Sequence, residues 1–127
     1  MTGPELYRAA RAAAARAYAP YSGLRVGAAI EAAGGAVHLG VNVESASYGL
    51  SICAERAALA CAVTAGDLRL LRVAVACEDG RPITPCGACR QSLAEFGRDL
   101  VVVERREGAI LERRLVDLLP DAFTLPG

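Results

Sequence analysis

The chain has 127 residues, 54% of them hydrophobic, with 14 arginines balanced against 14 acidic residues and no lysine. That length and apolar fraction support a single packed domain over 1–127 and exclude intrinsic disorder, while zero net charge without basic runs excludes a protein that holds nucleic acid or a membrane surface by bulk electrostatics. No apolar stretch approaches the ~18–20 residues that span a bilayer, and Arg8, Arg11 and Arg16 interrupt the alanine-rich start. Neither an anchor nor a signal peptide is expected, and the compartment read from this is cytoplasmic and reducing, where five cysteines call for a purpose other than disulfides.

Taken in chain order, Pro4 to Tyr18 reads as a first helix: strong helix formers follow a proline suited to a first turn, and Pro20 stops the run. Arg25 to Ala33 and Ala36 to Val43 read as two antiparallel strands joined at Gly34-Gly35. Asn42 to Ser51 has no period and is expected to be an ordered loop. Ile52 to Thr64 is a helical pattern, apolar all round and so expected to be buried, with Gly66 as its terminating residue. Leu71 to Cys77 reads as a buried strand, Cys86 to Phe96 as a short helix, Leu100 to Val103 as a further buried strand, and Leu115 to Leu119 as a last helical turn. This order, αββαβαβ before the last turn, predicts antiparallel pairing in the first half and parallel pairing in the second.

Cys86 and Cys89 form a Cys-x-x-Cys within Pro85-Cys86-Gly87-Ala88-Cys89-Arg90, and Cys53 lies upstream in Cys53-Ala54-Glu55. A Cys-x-x-Cys alone also fits a redox pair or half of a structural four-cysteine site. A structural site would close with a fourth Cys or His, whereas Cys61 and Cys77 sit in patterns expected of core packing. Three thiolate ligands leave one position of a zinc ion open for a water whose pKa falls toward about 7. Glu55 suits a proton shuttle beside that position, although an acidic residue in a first helical turn needs no such purpose. Ser51 and Thr84-Pro85 are expected to start the two helices, so that both positive ends converge on the metal. Zinc with three thiolates carries a net charge of −1, and Arg56 and Arg90 are the expected compensators; solvated helix-surface arginines are the alternative.

These residues extend into a longer pattern: Tyr18-Ala19-Pro20-Tyr21-Ser22, Val26-Gly27-Ala28-Ala29, Asn42-Val43-Glu44, Ala46-Ser47-Tyr48-Gly49, Cys53-Ala54-Glu55-Arg56, Pro85 to Gln91 and Leu118-Leu119-Pro120. Nearly end to end, the chain resembles the short, homotetrameric type of cytidine deaminase. The resemblance implies an α/β fold, a three-layer α/β/α arrangement with a mixed sheet of about five strands. It also implies one Zn2+ per chain on Cys53, Cys86 and Cys89, with Glu55 passing a proton from the activated water to N3 of the base and later one to the departing amino group. The implied reaction converts cytidine and 2′-deoxycytidine to uridine and 2′-deoxyuridine plus ammonia, in pyrimidine salvage.

The resemblance further assigns substrate contacts to Asn42, Val43, Glu44, Ser45, Ala46, Ser47, Tyr48, Ala54, Leu24 and Phe123. Asn42 and Glu44, two apart on an extended segment, project to one side and can address the sugar together; an Asx turn and a surface carboxylate are the bland alternative. Ala46 to Tyr48 and Phe123 are expected to act across subunit interfaces, so that sites are shared between chains. Leu24 stands where the family usually has a stacking Phe, a loss of roughly 0.5–1.5 kcal/mol in base binding unless Phe123 compensates, and Ser45 replaces the usual Asn. His38 is expected to be structural. The competing functions are deamination of a nucleoside antibiotic such as blasticidin S, deamination of a polynucleotide, which the neutral charge disfavours, and a noncatalytic zinc-stabilised module.

Overall fold

In the computed structural model, which describes residues 1–126, five strands form one mixed sheet between helices on its two faces. In chain order the elements are α1 (Gly3–Ala13), β1 (Val26–Ala32), β2 (Val37–Val41), α2 (Ala54–Thr64), β3 (Leu70–Cys77), α3 (Gly87–Ala94), β4 (Val101–Arg106), β5 (Ala109–Arg114) and α4 (Leu115–Leu118). The strand order is β2-β1-β3-β4-β5, with β3 and β4 parallel and the other neighbours antiparallel. The three-layer α/β/α architecture and the split between antiparallel and parallel halves are as the sequence pattern implies.

Thr2 starts α1 through a capping box: its hydroxyl accepts from the Glu5 N–H, and the Glu5 carboxylate accepts from the Thr2 N–H. The helix ends five residues before Tyr18, passing through a 3-10 turn over Ala14–Arg16. The expected longer helix fails for a tertiary reason. The Tyr18 N–H donates to the Asn42 carbonyl and the Glu44 N–H to that of Tyr18, bonds available only to extended chain. Of the Gly34-Gly35 pair only Gly35 has a positive φ, 97°, after a turn closed by its N–H on the Ala32 carbonyl.

One face of the sheet packs Ala29, Ala74, Ala76 and Val103 against Leu6, Tyr7 and Ala10 of α1. The other packs Ala28, Ile30, Val73, Val75 and Val102 against Ala54, Ala58 and Ala62 of α2 and Leu93 of α3. Two glycines set how closely the layers approach. A Cβ on Gly27 would lie 1.9 Å from the Ala10 carbonyl oxygen of α1, and one on Gly40 2.2 Å from the Ala58 nitrogen of α2.

α2 is buried on one side only: Ala60, Cys61 and Val63 are exposed, against the expectation of burial all round. Its end follows the sequence signal, with Gly66 at φ 88° and the Asp67 and Gly66 N–H groups on the Ala62 and Val63 carbonyls, closing a Schellman motif. His38 takes the structural role expected of it, its Nε2 lying 2.7 Å from Oδ2 of Asp67 and joining β2 to the end of α2.

The strand missing from the sequence pattern is β5. Glu107 and Gly108 both have positive φ and turn the chain from Arg106 directly into Ala109, the register of a two-residue hairpin. β5 is a charged sheet edge, mostly exposed, and so lacks an apolar signature.

Candidate active site

Cys53 and Cys86 occupy equivalent places, each the extended N-cap residue of a helix, α2 and α3 respectively. Cys89 lies three residues into α3, fully buried. The three sulfurs lie within 4.8 Å of one another, with the Cys53 and Cys86 sulfurs 4.0 Å apart. A tetrahedral zinc with 2.3 Å bonds places its sulfur ligands about 3.8 Å apart, so this donor set fits one zinc ion. Ser51 and Thr84 do not cap the helices as expected, because the cysteines hold the caps. The Ser51 hydroxyl accepts instead from the Ser45 N–H at 3.0 Å, and Thr84 from Arg90.

Both helices begin at the cluster and aim their free N–H groups toward it. Burial acts to raise the Cys86 thiol, but the Cys89 N–H, contacts with the Cys89 and Cys53 thiols and the Ala88 N–H outweigh it and hold Cys86 below the ordinary thiol value. Cys89 is pushed well above that value by burial and by the neighbouring negative charges of Glu55 and the other thiols. Three thiolates side by side therefore call for a cation, which is the charge balance a zinc ion provides.

Glu55, 4% exposed, stands in the first turn of α2 with its carboxyl pushed up by burial, against the opposing effects of its own N–H, a Cys89 hydrogen bond and Arg56. Arg56, an expected compensator, reaches the thiol cluster: its Nη2 lies 3.6 Å from the Cys53 sulfur. Arg90 does not. Its Nη1 donates to the Leu118 carbonyl at 3.1 Å and its Nη2 to the Thr84 hydroxyl at 3.2 Å, and no hydrogen bond among the described residues takes it to a thiol. It braces α3 against α4. Next to it, Gln91 holds the C-terminal segment by both backbone groups of one residue, donating to the Phe123 carbonyl at 2.9 Å and accepting from the Phe123 N–H at 3.0 Å.

Of the cysteines expected in the core, Cys77 is buried, its thiol raised chiefly by that burial, whereas Cys61 is exposed on α2.

Glu55, Cys53 and Cys86 line a cavity of about 450 Å³. Its walls include the expected Leu24, Asn42, Glu44, Ser45, Tyr48 and Ala54. Val43, Ala46, Ser47 and Phe123 are not among its lining residues. Val43 is bridged to Tyr18 and Ile52, and the Phe123 side chain projects into solvent. The cavity also takes in Tyr21, Ser22, Ile52, Ile83 and Thr84, none of which the sequence reading assigned to the substrate site. Tyr21 and Tyr48 meet edge to face at 6.3 Å and form an aromatic rim.

Asn42 and Glu44 are both engaged with the wall itself. The Asn42 amide accepts from the Val26 N–H and donates to the Leu24 carbonyl, each at 2.8 Å. Glu44 accepts from the Tyr21 and Ser22 N–H groups at 3.0 and 3.1 Å and from the Ser22 hydroxyl, and these bonds, those of Ser22 foremost, hold its carboxyl below the usual range.

The chain matches the sequence model described as the cytidine and deoxycytidylate deaminase zinc-binding region over residues 3–105. It is 46% identical over 110 residues to a cytidine deaminase of Halalkalibacterium halodurans, covering 85% of this chain and 83% of the relative. It is 48% identical over 115 residues to one of Mycobacterium tuberculosis, covering 89% and 83%. The crystal structure of cytidine deaminase from Burkholderia pseudomallei superimposes with a TM-score of 0.89 at 49% identity, over 97% of this chain and all of that one. With three clustered thiols and a buried carboxyl gathered at the head of two helices, the chain belongs to the cytidine and deoxycytidylate deaminase zinc-binding family.

Proposed function

We propose that this protein is a zinc-dependent hydrolase that converts cytidine and 2′-deoxycytidine to uridine and 2′-deoxyuridine, releasing ammonia, in cytoplasmic pyrimidine salvage. The observation that carries this reading is the placement of a buried carboxyl, Glu55, against three clustered thiols at the wall of a cavity that also presents Asn42 and Glu44. Cys53, Cys86 and Cys89 would hold the zinc, which when bound supplies a Lewis-acidic fourth position that acidifies water.

Around that group the chain's own residues do the rest. Glu55 takes a proton from the attacking water on a carboxylate oxygen and delivers it to N3 of the pyrimidine as the C4–O bond forms; it then takes the proton of the new C4 hydroxyl and passes it to the exocyclic amine, which leaves as ammonia as the C4 carbonyl forms. Its raised pKa suits both roles, because a carboxyl shifted toward neutrality both accepts and returns a proton readily. Arg56 offsets the negative charge of the thiolates from the Cys53 side. Leu24, Val26, Ile52 and Ile83 give the base apolar walls that limit water. The assembly we propose is a homotetramer in which Ala46 to Tyr48 and Phe123 complete neighbouring sites. Exposed Tyr48, Leu50, Phe123 and Leu125 support it. No helix among the described residues is long and apolar enough to cross a membrane.

The test is Glu55→Ala assayed by loss of cytidine absorbance beside metal analysis. The variant retains one zinc per chain and its assembly but loses turnover; preserved turnover refutes the assigned role. Blasticidin S, run as a competing substrate, separates nucleoside salvage from antibiotic deamination.

A further inference from the structure

Three of the roughly four acceptor positions of the Glu44 carboxylate are filled by the rim loop: two by the Tyr21 and Ser22 N–H groups on Oε1 and one by the Ser22 hydroxyl on Oε2. One position, on Oε2, remains on a side chain that lines the cavity. Asn42 is used on both sides of its amide, by Val26 and Leu24, which leaves one amide N–H and one acceptor position free. What the pair has left is two acceptor positions, one on each residue, and one donor on Asn42, enough for a sugar hydroxyl to donate to Glu44 and accept from Asn42.

The loop in turn depends on the pair. Ser22 returns a second bond through its hydroxyl oxygen, which accepts from the Leu24 N–H at 3.0 Å, and Gly23 between them takes φ 73°. Ser22 is thus tied to Glu44 and to Leu24 at once, joining the sugar-facing carboxylate to the residue that walls the base.

We propose that Ser22 is a positioning residue for sugar recognition: its hydroxyl fixes the Glu44 carboxylate so that the remaining Oε2 acceptor position faces the cavity and reads a sugar hydroxyl of the nucleoside. This rests on the cytidine deaminase reading above and adds to it a residue that acts through Glu44. Without the Ser22 hydroxyl, Oε1 stays held by the Tyr21 and Ser22 N–H groups but Oε2 loses its hydrogen bond, and fixing the direction of that oxygen falls to the substrate. A mere structural role for Ser22 would tax all substrates equally; a positioning role taxes only substrates carrying the hydroxyl that Glu44 reads.

The experiment measures kcat/KM of unsubstituted enzyme, Ser22→Ala and Ser22→Thr for cytidine, 2′-deoxycytidine and 3′-deoxycytidine, at matched zinc content. Ser22→Ala lowers kcat/KM for cytidine about tenfold, chiefly through KM, in line with a hydrogen bond to a charged group. For one of the two deoxy analogues the loss shrinks below twofold, which identifies the hydroxyl, and Ser22→Thr restores cytidine turnover. An equal loss for all three substrates, or none for any, overturns the proposal. Inert unsubstituted enzyme with zinc bound overturns the functional reading itself, and with it this inference, and is told apart from the other outcomes by the control alone.

Discussion

Substituting Gly40 by alanine tests whether the contact between β2 and α2 sets the geometry of the site. The added methyl would lie 2.2 Å from the Ala58 nitrogen, 2.5 Å from the Ala54 carbonyl oxygen and 2.8 Å from the Ala58 Cα. Ordinary contact begins near 3.4 Å, so strand and helix must separate by about 1.2 Å. All three obstructing atoms are backbone, and no side-chain rotation relieves them. Overpacking of this kind costs about 1–3 kcal/mol, and a rigid obstruction belongs at the upper end. For a chain of this size that lowers Tm by about 8–12 °C. Because α2 starts at Cys53 and carries Glu55, the displacement also reaches the chemistry, where a misplacement of ~1 Å costs about 10²-fold in rate. Gly27→Ala is the control. Its methyl would meet the Ala10 carbonyl oxygen of α1 at 1.9 Å and the Ala14 nitrogen of the turn that follows it at 2.7 Å, at the opposite face of the sheet. Calorimetry should show both variants destabilised; kcat/KM for cytidine, taken well below both melting temperatures and at equal zinc content, should fall steeply only in Gly40→Ala. Equal losses of activity in the two variants, or a Gly40→Ala protein that melts within about 2 °C of the parent, would refute this account of the layer spacing.

Arg72 grips Glu31 at both carboxylate oxygens, 2.9 and 3.2 Å, and this hydrogen bonding, helped by the guanidinium charge and opposed by burial, lowers the Glu31 pKa. A folded value below the unfolded 4.5 means the stabilisation is fully present above about pH 4.5 and is lost as pH falls through the folded value. The difference in Tm between parent and Arg72→Met should accordingly amount to a few degrees near neutrality and shrink on acidification; a difference independent of pH would show that the pair is not linked to folding. Cys86→Ala, which removes one of three ligands, should bind no stoichiometric zinc and melt at a lower temperature than the parent, and chelation of the parent should move its Tm the same way. Metal analysis with thermal unfolding checks both, and a fully loaded Cys86→Ala protein would show that the three thiols are not the ligand set.

The buried elements were legible in the sequence because their signals are local. The apolar run at Leu70–Cys77, the strand from Val101, and the glycines at 35 and 66 each carry their conformation in a few residues. The early end of α1 was not legible, since only pairing of Tyr18 with a segment some 25 residues downstream draws the chain out of helix. β5 escaped because an edge strand needs no apolar face, although the positive φ of Glu107 and Gly108 marks a hairpin that the Glu-Gly pair could have signalled. In the site, residue types with metal or proton chemistry were readable, while the places of Ser22, Ile83 and Thr84 in the cavity wall were not: a serine in a loop and two wall residues acquire that meaning only from what folding sets beside them. Arg90 shows the reverse error. Adjacency to a ligand implied an electrostatic task, and the side chain spends its donors on Thr84 and Leu118 instead.

The two bonds between Gln91 and Phe123, with the bond from Arg90 to Leu118, give the C-terminal segment a second significance. Both donors follow directly on Cys89, so the tail is fastened to the very turn of helix that carries a thiol. Such fastening works in both directions: whatever factor the docked tail adds to metal affinity, the metal returns as added docking of the tail. Slowed amide exchange at Phe123 would therefore report occupancy of a site that Phe123 does not line, and clipping the chain beyond Leu118 would loosen the grip on the ion without removing a single ligand.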